Sequence, residues 1–373
     1  RLAKDQPPLL ASATVGSGRG MAEVAWGILG CAGIAKKVCV ALAEAKNARV
    51  AAVASRDIAK AEAFVADNAP GAKAYGSYEE LLDDASIQVV YIPLPTGLRA
   101  DWVVKAAEKK KHVLCEKPLA SSWSEACRMV EACRKAGVQF MDDTMFMHHE
   151  RMEEMRHVLN DEKTFGKVTQ VNSSFTIPFG NEDDWGKSNI RVKRDTEPLG
   201  CLGDLGWYCV RFALWAFDYE TPESVRCDYL EATEEGVPLK AVGILKFSGG
   251  RSCIFDCSFK HCLRQWAEVV GEKASLNVDD FVVTKNRNSC SYTLLTASLS
   301  DKDITFPQEA TTKTVEGSIQ HTRLIECFSR LAAEGKCDDF WPKVALQTHQ
   351  LMVALDTSAQ KKGEWVSPSS LTK

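Results

Sequence analysis

Short apolar runs alternate with helix-like stretches through the first 145 residues of the chain. After a first run that starts at Val24, the runs with the length and content of buried strands are 49–54, 72–75, 87–94, 112–115 and 138–141. The helix-like stretches between them begin at residues 57, 77, 99 and 122. Such alternation is typical of a parallel sheet with helices on both faces, so it predicts a doubly wound α/β domain over residues 22–145.

The pattern changes over residues 146–373, where strand-like runs follow one another directly, several of them bounded by glycine turns. These runs are 166–178, 225–231, 241–247, 251–259, 266–271 and 275–278, and the long helical candidates are 203–217, 319–334 and 343–361. So few helices cover one face of a sheet and leave the other available for a partner sheet. We therefore predict a second domain, built from a sheet and a few helices, in a homodimer.

A turn of small residues follows the first apolar run. Gly30, Ala32 and Ala35 occupy the three glycine positions of G-x-G-x-x-G and lead into an alanine-rich helix. In a dinucleotide-binding domain such a turn, which here includes Gly33 and Ile34, brings backbone N–H groups against a pyrophosphate at a helix N-terminus. A strand-to-helix turn of small residues is also ordinary packing, so the turn alone leaves both interpretations open.

The end of the second strand indicates which nicotinamide cofactor the domain would take. Folds that prefer NAD carry an acid there for the ribose hydroxyls, whereas this chain has Ser55 and Arg56. A serine and an arginine can receive a 2′-phosphate, so we predict NADP as the cofactor, with NAD as the second choice. The alternative is a helix start, with Ser55 as N-cap and Arg56 in solvent.

The triplet Glu116-Lys117-Pro118 comes directly after a short apolar run. A lysine at the carboxyl end of a strand in an open α/β sheet points into the crevice where such folds bind ligands, and a following proline restricts the backbone that aims it. We therefore expect Lys117 in the crevice, and we expect Glu116 to hold Lys117 or to bind backbone beside the cofactor.

A third group of polar residues lies in the helical candidate 203–217. If a helix begins near Gly203, then Asp204, Tyr208 and Arg211 share one face. Polar groups in so apolar a helix must be paired or must face a wet cleft, because burying them without partners costs several kcal/mol. The alternative is structural: Asp204 as an N-cap, Tyr208 as a core residue with its hydroxyl satisfied, and Arg211 in an ion pair.

These motifs, with Pro93 to Thr96 after the fourth strand, occur in the order expected of the Gfo/Idh/MocA oxidoreductases. The chain resembles that family over about residues 23–367, in the branch that holds dimeric dihydrodiol dehydrogenase, NADP-dependent xylose dehydrogenases and plant and algal relatives. The resemblance implies an N-terminal Rossmann domain and a C-terminal α+β domain with an open, mainly antiparallel sheet. It also implies cofactor contacts at Pro93, Thr96, Glu116 and Lys117, and it favours a functional role for Asp204 and Tyr208.

The predicted reaction is hydride transfer between NADP and a secondary alcohol or carbonyl of a sugar, cyclic diol or related polyol. Because a proton must leave the alcohol oxygen as the hydride leaves carbon, we assign Tyr208 as acid/base and Lys117 as the cation beside that oxygen. Asp204 is expected to hold one of the two. The competing hypothesis is a catalytically silent subunit that retains the fold and binds the cofactor.

Two positions depart from the pattern of the family. Arg99 stands where many relatives carry histidine, and His148 stands where the family has an arginine. Arg99 could hold a carboxylate or phosphate of the substrate, or it could be a helix-face arginine in solvent. His148, Arg191 and Arg211 are further candidate substrate contacts. The tandem pair His148-His149 does not have ligand spacing, so we predict no metal.

Composition adds little that is specific. Lys plus Arg number 46 against 50 Asp plus Glu, which favours neither nucleic acid nor an acidic membrane as a partner. No apolar stretch approaches a spanning length, and the 14 cysteines are scattered as expected of buried thiols in a reducing compartment. We therefore expect an intracellular, soluble protein of the cytoplasm or an organelle. Residues 1–21 are expected to be a disordered tail, and this tail is a candidate remnant of a transit peptide.

Overall fold

The computed structural model describes residues 23–181, 185, 189–297, 308–317, 319–335 and 337–372. It divides into two compact units. The first unit holds the described residues up to His148 and those of Ile319–Leu346, and the second holds those of His149–Ser318 and Gln347–Lys373. The division after His148 lies close to the predicted boundary at residue 145. In addition, 319–346 groups with the first sheet although it follows the second along the chain.

Fourteen strands and nine α-helices have bounds within the described residues. The strands are β1 Val24–Leu29, β2 Ala48–Ala54, β3 Lys73–Tyr75, β4 Val89–Ile92, β5 His112–Cys115, β6 Phe140–Asp142, β7 Val168–Thr176, β8 Ser224–Ala232, β9 Pro238–Lys246, β10 Ser252–Ser258, β11 Arg264–Gly271, β12 Ala274–Val278, β13 Ser289–Ala297 and β14 Gln308–Glu316. The helices are α1 Gly33–Glu44, α2 Ile58–Asn68, α3 Tyr78–Asp83, α4 Thr96–Glu108, α5 Trp123–Ala136, α6 Glu150–Leu159, α7 Trp207–Ala216, α8 Gln320–Glu334 and α9 Phe340–Gln360.

The first unit contains a six-stranded parallel sheet in the order β3-β2-β1-β4-β5-β6. Every residue of β1 is buried, as expected of a strand covered on both faces. On one face Trp26 is fully buried against α8, where its indole Nε1 donates a 3.0 Å hydrogen bond to Ser329 Oγ. The strand order is that of a dinucleotide-binding fold, in which ligands bind outside the carboxyl ends of the strands.

The helices of the first unit begin at polar caps that the sequence supplies. Asp57, Ser77 and Ser122 each accept a backbone N–H from the first turn of α2, α3 and α5, respectively. Such caps satisfy N–H groups that have no partner inside a helix. These elements lie within a few residues of their predicted positions, and the predicted strand 112–115 coincides with β5.

The second unit contains an eight-stranded sheet in the order β14-β13-β12-β11-β7-β10-β9-β8. Its pairs are antiparallel except β7 with β10, which run parallel. Burial alternates along β10, where Cys253 and Phe255 are buried and Ile254 between them is 45% exposed. The predicted fold class, a Rossmann sheet plus a domain with a mainly antiparallel sheet, is confirmed.

Three elements of the second unit were not predicted: α6, β13 and β14. All but one of the residues of β14 are exposed, and its sequence is rich in threonine and charge. A solvated edge strand shows no apolar run, so neither periodicity nor composition marks it.

The lengths of the helices and the state of the cysteines can be compared with what the sequence predicts. None of the helices within the described residues is long and apolar enough to cross a bilayer. All 14 cysteines are free thiols, and most of them are buried.

Candidate active site

The turn after β1 forms an open cradle at the start of α1. Gly30 has φ of +111°, and a β-carbon there would come within 3.1 Å of the Leu94 side chain, so only glycine suits the position. A β-carbon on Gly33 would meet no described atom within 4 Å, whereas Ala35 is fully buried. Because the first turn of α1 carries no acidic residue, its N–H groups and dipole suit an anion such as a pyrophosphate.

Ser55 and Arg56 lie at the carboxyl end of β2, beside this cradle. Ser55 is buried, Arg56 is exposed, and the positive charge of Arg56 is close enough to the Tyr78 hydroxyl on α3 to act on it. Burial raises the pKa of Tyr78, and the charge of Arg56 acts against that rise. The alternative in which Ser55 caps the helix is wrong, because Asp57 accepts the Ala59 N–H at 3.0 Å.

Tyr78 is a candidate cofactor residue that our sequence analysis missed. It is 8% exposed, and its ring makes an edge contact with Trp102 at 4.8 Å. The only local signal was its place as the first residue of a helix capped by Ser77. Its approach to Arg56 follows from β2 and β3 being neighbours in the sheet, a relationship that no local pattern contains.

Lys117 and Glu116 follow directly after β5 and are 9% and 7% exposed, respectively. The Glu116 carboxyl accepts the Tyr91 hydroxyl at 2.6 Å through Oε1 and the Lys117 backbone N–H at 3.1 Å through Oε2. The peptide bond between Lys117 and Pro118 is cis. Glu116 therefore holds the backbone of Lys117.

Arg99 is buried rather than solvent-facing, so the alternative of a helix-face arginine in solvent is wrong. Its Nε donates to the Leu94 carbonyl at 2.6 Å, and its Nη1 donates to the carbonyls of Glu116, at 3.0 Å, and Pro118. The guanidinium therefore ties the loop after β4 to the residues on both sides of Lys117. Its role toward substrate stays a prediction.

The neighbouring candidates of the first unit are also buried. Pro93 and Thr96 lie where β4 runs into α4, and Thr96 is the first residue of that helix. His148 is 3% exposed, and its ring stacks on Trp341 at 4.5 Å between centroids. This stacking gives His148 a packing role, and its contact with substrate stays a prediction.

In the second unit, Asp204 lies in a π-helical turn, Leu202–Gly206, that precedes α7. Its Oδ2 accepts the Arg191 Nε at 2.9 Å, which pairs two of the predicted site residues. Tyr208 follows in α7, is 7% exposed and makes an edge contact with Phe175 at 5.5 Å. Asp204 is not an N-cap, because it lies inside the π turn, whereas the cap positions of the turn and of α7 are Cys201 and Gly206.

The π turn is a second feature that sequence reasoning missed. Single π turns inside helices recur at functional sites, and they change the angular spacing on which our prediction of a shared face relied. Arg211 is fully buried, donates from Nε to Thr348 Oγ1 at 2.7 Å and lies 5.6 Å over the Trp207 ring. The structure gives it a packing role, and its contact with substrate also stays a prediction.

The adjacent residues His148 and His149 have different structural roles. His149 is the N-cap of α6 and accepts the Arg151 N–H at 3.1 Å. Among the residues that the structure describes, no three His, Cys, Asp or Glu side chains are grouped so that they could hold a metal ion.

The strand order, the cradle at α1 and the lysine after β5 define a dinucleotide-binding oxidoreductase of the Rossmann class. Residues 24–144 match the GFO_IDH_MocA family, described as an oxidoreductase family with an NAD-binding Rossmann fold. Residues 152–277 match the GFO/IDH/MocA C-terminal domain. The chain belongs to this family.

Known relatives are similar to this chain over much of its length. D-xylose 1-dehydrogenase (NADP(+)) 2 of Haloferax volcanii is 39% identical over 63% of this chain and 69% of its own length. Trans-1,2-dihydrobenzene-1,2-diol dehydrogenase of Xenopus laevis is 33% identical over 69% of this chain and 76% of its own. A mutant 3-ketoreductase from Actinomadura kijaniata, solved with TDP-benzene and NADP, has a TM-score of 0.80 at 25% identity and covers 90% of this chain and 98% of its own.

These likenesses confirm the predicted family and branch, and they confirm the prediction of an NADP-linked oxidoreductase that acts on CH–OH groups. The roles of the individual site residues stay predictions.

Proposed function

We propose that this protein is an NADP-dependent dehydrogenase or reductase that transfers hydride between the nicotinamide and a secondary alcohol or carbonyl of a sugar, cyclic diol or related small polyol. The observation that carries the proposal lies at the carboxyl end of the parallel sheet in the first unit. There the end of β2 presents Ser55 and Arg56, and the end of β5 presents Lys117. Relatives named for D-xylose and for a dihydrobenzenediol support a small hydroxylated substrate.

The residues present fit NADP. The cradle around Gly33 offers open space and helix N–H groups for the pyrophosphate, and Arg56 with Ser55 offers a forked cation and a hydroxyl for the 2′-phosphate. Tyr78 lies close enough to Arg56 to feel its charge, so its hydroxyl is a further candidate contact near the 2′-phosphate. The end of β2 carries no acid to repel a 2′-phosphate, since Ser55 and Arg56 follow the strand directly. The first carboxylate beyond them, Asp57, caps α2 by accepting the Ala59 N–H.

The bound nicotinamide supplies the hydride acceptor or donor. The chain supplies a proton site and a cation: Tyr208 exchanges the proton of the substrate hydroxyl, and Lys117 stabilises negative charge on the substrate oxygen. Glu116 and Arg99 keep the Lys117 backbone in place through the bonds described above. The pair of Asp204 and Arg191 orders the π turn that leads to Tyr208.

A substrate screen tests the proposal. Aldoses, anhydro-sugars, dicarbonyls and dihydrodiols are offered with NADP or NADPH, and absorbance of the reduced nicotinamide is followed. We expect turnover with at least one class and weaker activity with NAD than with NADP. NADP binding without turnover of any class would favour the catalytically silent alternative.

We also propose a homodimer formed through the sheet of the second unit. The π turn Leu202–Gly206 packs against β7, β9 and β10 on one face of this sheet. In contrast, the side chains of Ile254 in β10 and Leu230 in β8 are 45% and 63% exposed, respectively. Apolar residues exposed on a sheet favour a second copy of the same sheet. A monomer by light scattering at micromolar concentration would contradict the dimer.

A further inference from the structure

A second carboxyl group lies beside Glu116 inside the first unit. β5 and β6 are paired with Cys115 opposite Asp142, so the residues that follow, Glu116 and Asp143, leave adjacent strand ends together. The Asp143 N–H donates to the Cys115 carbonyl at 2.8 Å, which continues the ladder by one residue. Asp143 is 3% exposed, and its carboxyl lies within hydrogen-bond reach of the carboxyl of Glu116.

The hydrogen bonds around the carboxyl groups of Glu116 and Asp143 indicate that one proton lies between them. Tyr91 has one hydroxyl proton and gives it to Glu116 Oε1, while Glu116 Oε2 accepts the Lys117 N–H. Neither buried oxygen of Asp143 accepts a hydrogen bond from a donor group in the part of the chain that the structure describes. Two ionised carboxylates in contact in a dry site repel strongly, whereas one proton between them makes a hydrogen bond.

Charged and titratable groups from several elements lie around the pair. Tyr91 of β4 and Cys115 of β5 are fully buried beside it. Arg99 of α4 and Lys117 bring positive charge, and Asp142 of β6 brings negative charge. His321 of α8 is a further titratable group close enough for the charge of Glu116 to act on it. Burial raises the pKa of Glu116 to about 7 and that of Asp143 to about 6. The two therefore titrate as a unit close to neutral pH.

We propose that Glu116 and Asp143 share one proton and act together as a positioning pair for Lys117. The inference rests on the role proposed for Lys117. With the proton present, the pair carries one negative charge, and Glu116 holds the Lys117 N–H and the Tyr91 hydroxyl at once. When the proton leaves to solvent as pH rises, the two carboxylates repel, and Glu116 moves together with the backbone that it holds. Turnover falls because Lys117 is displaced, while the cofactor cradle at α1 is unaffected.

Infrared difference spectroscopy of the intact protein, taken between pH 5 and pH 9, tests the shared proton without any substrate. We expect a protonated-carboxyl band that disappears as pH rises and that is absent from both Asp143→Asn and Glu116→Gln. Asp101→Asn, which changes an exposed carboxylate paired with Arg128, should leave the band unchanged. A wild-type spectrum without such a band, or a band that persists in both variants, would overturn the pair whether or not the enzyme has been assigned a substrate.

The pH profile tests the positioning role. Asp143→Asn keeps the shape of the side chain and removes the titration, so the ratio of wild-type to variant kcat should fall about 10-fold or more between pH 6 and pH 9, with NADP affinity equal in the two proteins. A merely structural Asp143 would give a ratio that does not change with pH, and that result would contradict the proposal. If neither protein turns over any substrate, the infrared result still decides the shared proton.

Discussion

The Arg99 guanidinium donates a 3.0 Å hydrogen bond to the carbonyl oxygen of Glu116 and a further bond to that of Pro118, so one buried cation holds both sides of Lys117. The third carbonyl that it binds belongs to Leu94, at the start of the segment that leads into α4. The sequence position of Arg99 suggested a ligand for substrate. Its bonds make it first a support for the lysine.

Replacing Arg99 by methionine should remove these three bonds and leave three backbone carbonyls without a charged donor. We expect the free energy of unfolding to fall by about 3 kcal/mol, since a buried group left without its partner costs roughly 1–3 kcal/mol. Urea denaturation measures the loss, and Arg128→Met, at an exposed arginine, is the matched control. Equal stability of the two variants would show that the Arg99 bonds contribute little.

The preference for NADP can be tested at Arg56. Loss of a charge-assisted contact worth roughly 1.5–3 kcal/mol should weaken NADP binding about 10- to 100-fold in Arg56→Ala and leave NAD binding unchanged. Fluorescence titration with both cofactors measures the two affinities. Arg49→Ala, an exposed arginine near the other end of β2, should behave as wild type. If NADP and NAD lose affinity equally, Arg56 does not contact the 2′-phosphate.

The chemical roles can be tested by two conservative variants. Lys117→Met and Tyr208→Phe should each lower kcat by at least about 10²-fold, because each removes a group assigned to the substrate oxygen. NADP affinity should survive in both, which separates chemistry from binding. Rates like those of wild type in both variants would end the assignment.

The raised pKa values of Glu116 and Asp143 predict how stability depends on pH. A carboxyl whose pKa is higher in the folded than in the unfolded state stabilises most below its unfolded pKa, and this stabilisation is lost as pH rises through its folded pKa. The ordinary pKa values are 4.5 and 3.8, and the folded values are about 7 and about 6, so the loss falls between about pH 4 and pH 7. Urea midpoints at pH 5 and pH 8 should therefore differ more in wild type than in Asp143→Asn. The same difference in both proteins would contradict the assignment.

In the second unit, Arg151 and Asp280 form a buried ion pair in which the side chains are 2% and 8% exposed. Arg151 Nη2 also donates to the Asp280 carbonyl at 2.9 Å. Asp280→Ala leaves the buried charge of Arg151 without its ion-pair partner, so we expect the free energy of unfolding to fall by about 3–5 kcal/mol. Glu79→Ala, which breaks the exposed 2.8 Å pair with Lys105, should cost less than about 1 kcal/mol. Similar losses in the two variants would count against the buried pair.

The sequence by itself determined the features that depend on neighbours along the chain. The parallel α/β pattern, the small-residue turn at Gly30 and the positions of Ser55, Arg56 and Lys117 at strand ends follow from local periodicity and from residue chemistry. For the same reason β5 was predicted at its observed bounds, whereas the solvated edge strand β14 was missed, because exposed residues carry no periodic signal.

Only the tertiary structure decided which distant residues meet. The strand order brings Tyr78 to Arg56 and places Asp143 beside Glu116, and packing against the sheet buries Arg99 and assigns 319–346 to the first unit. Each of these depends on the pairing of elements far apart along the chain. Many pairings are compatible with the same local pattern, and the free energy of burying the whole core selects among them, so no single stretch of sequence contains the answer.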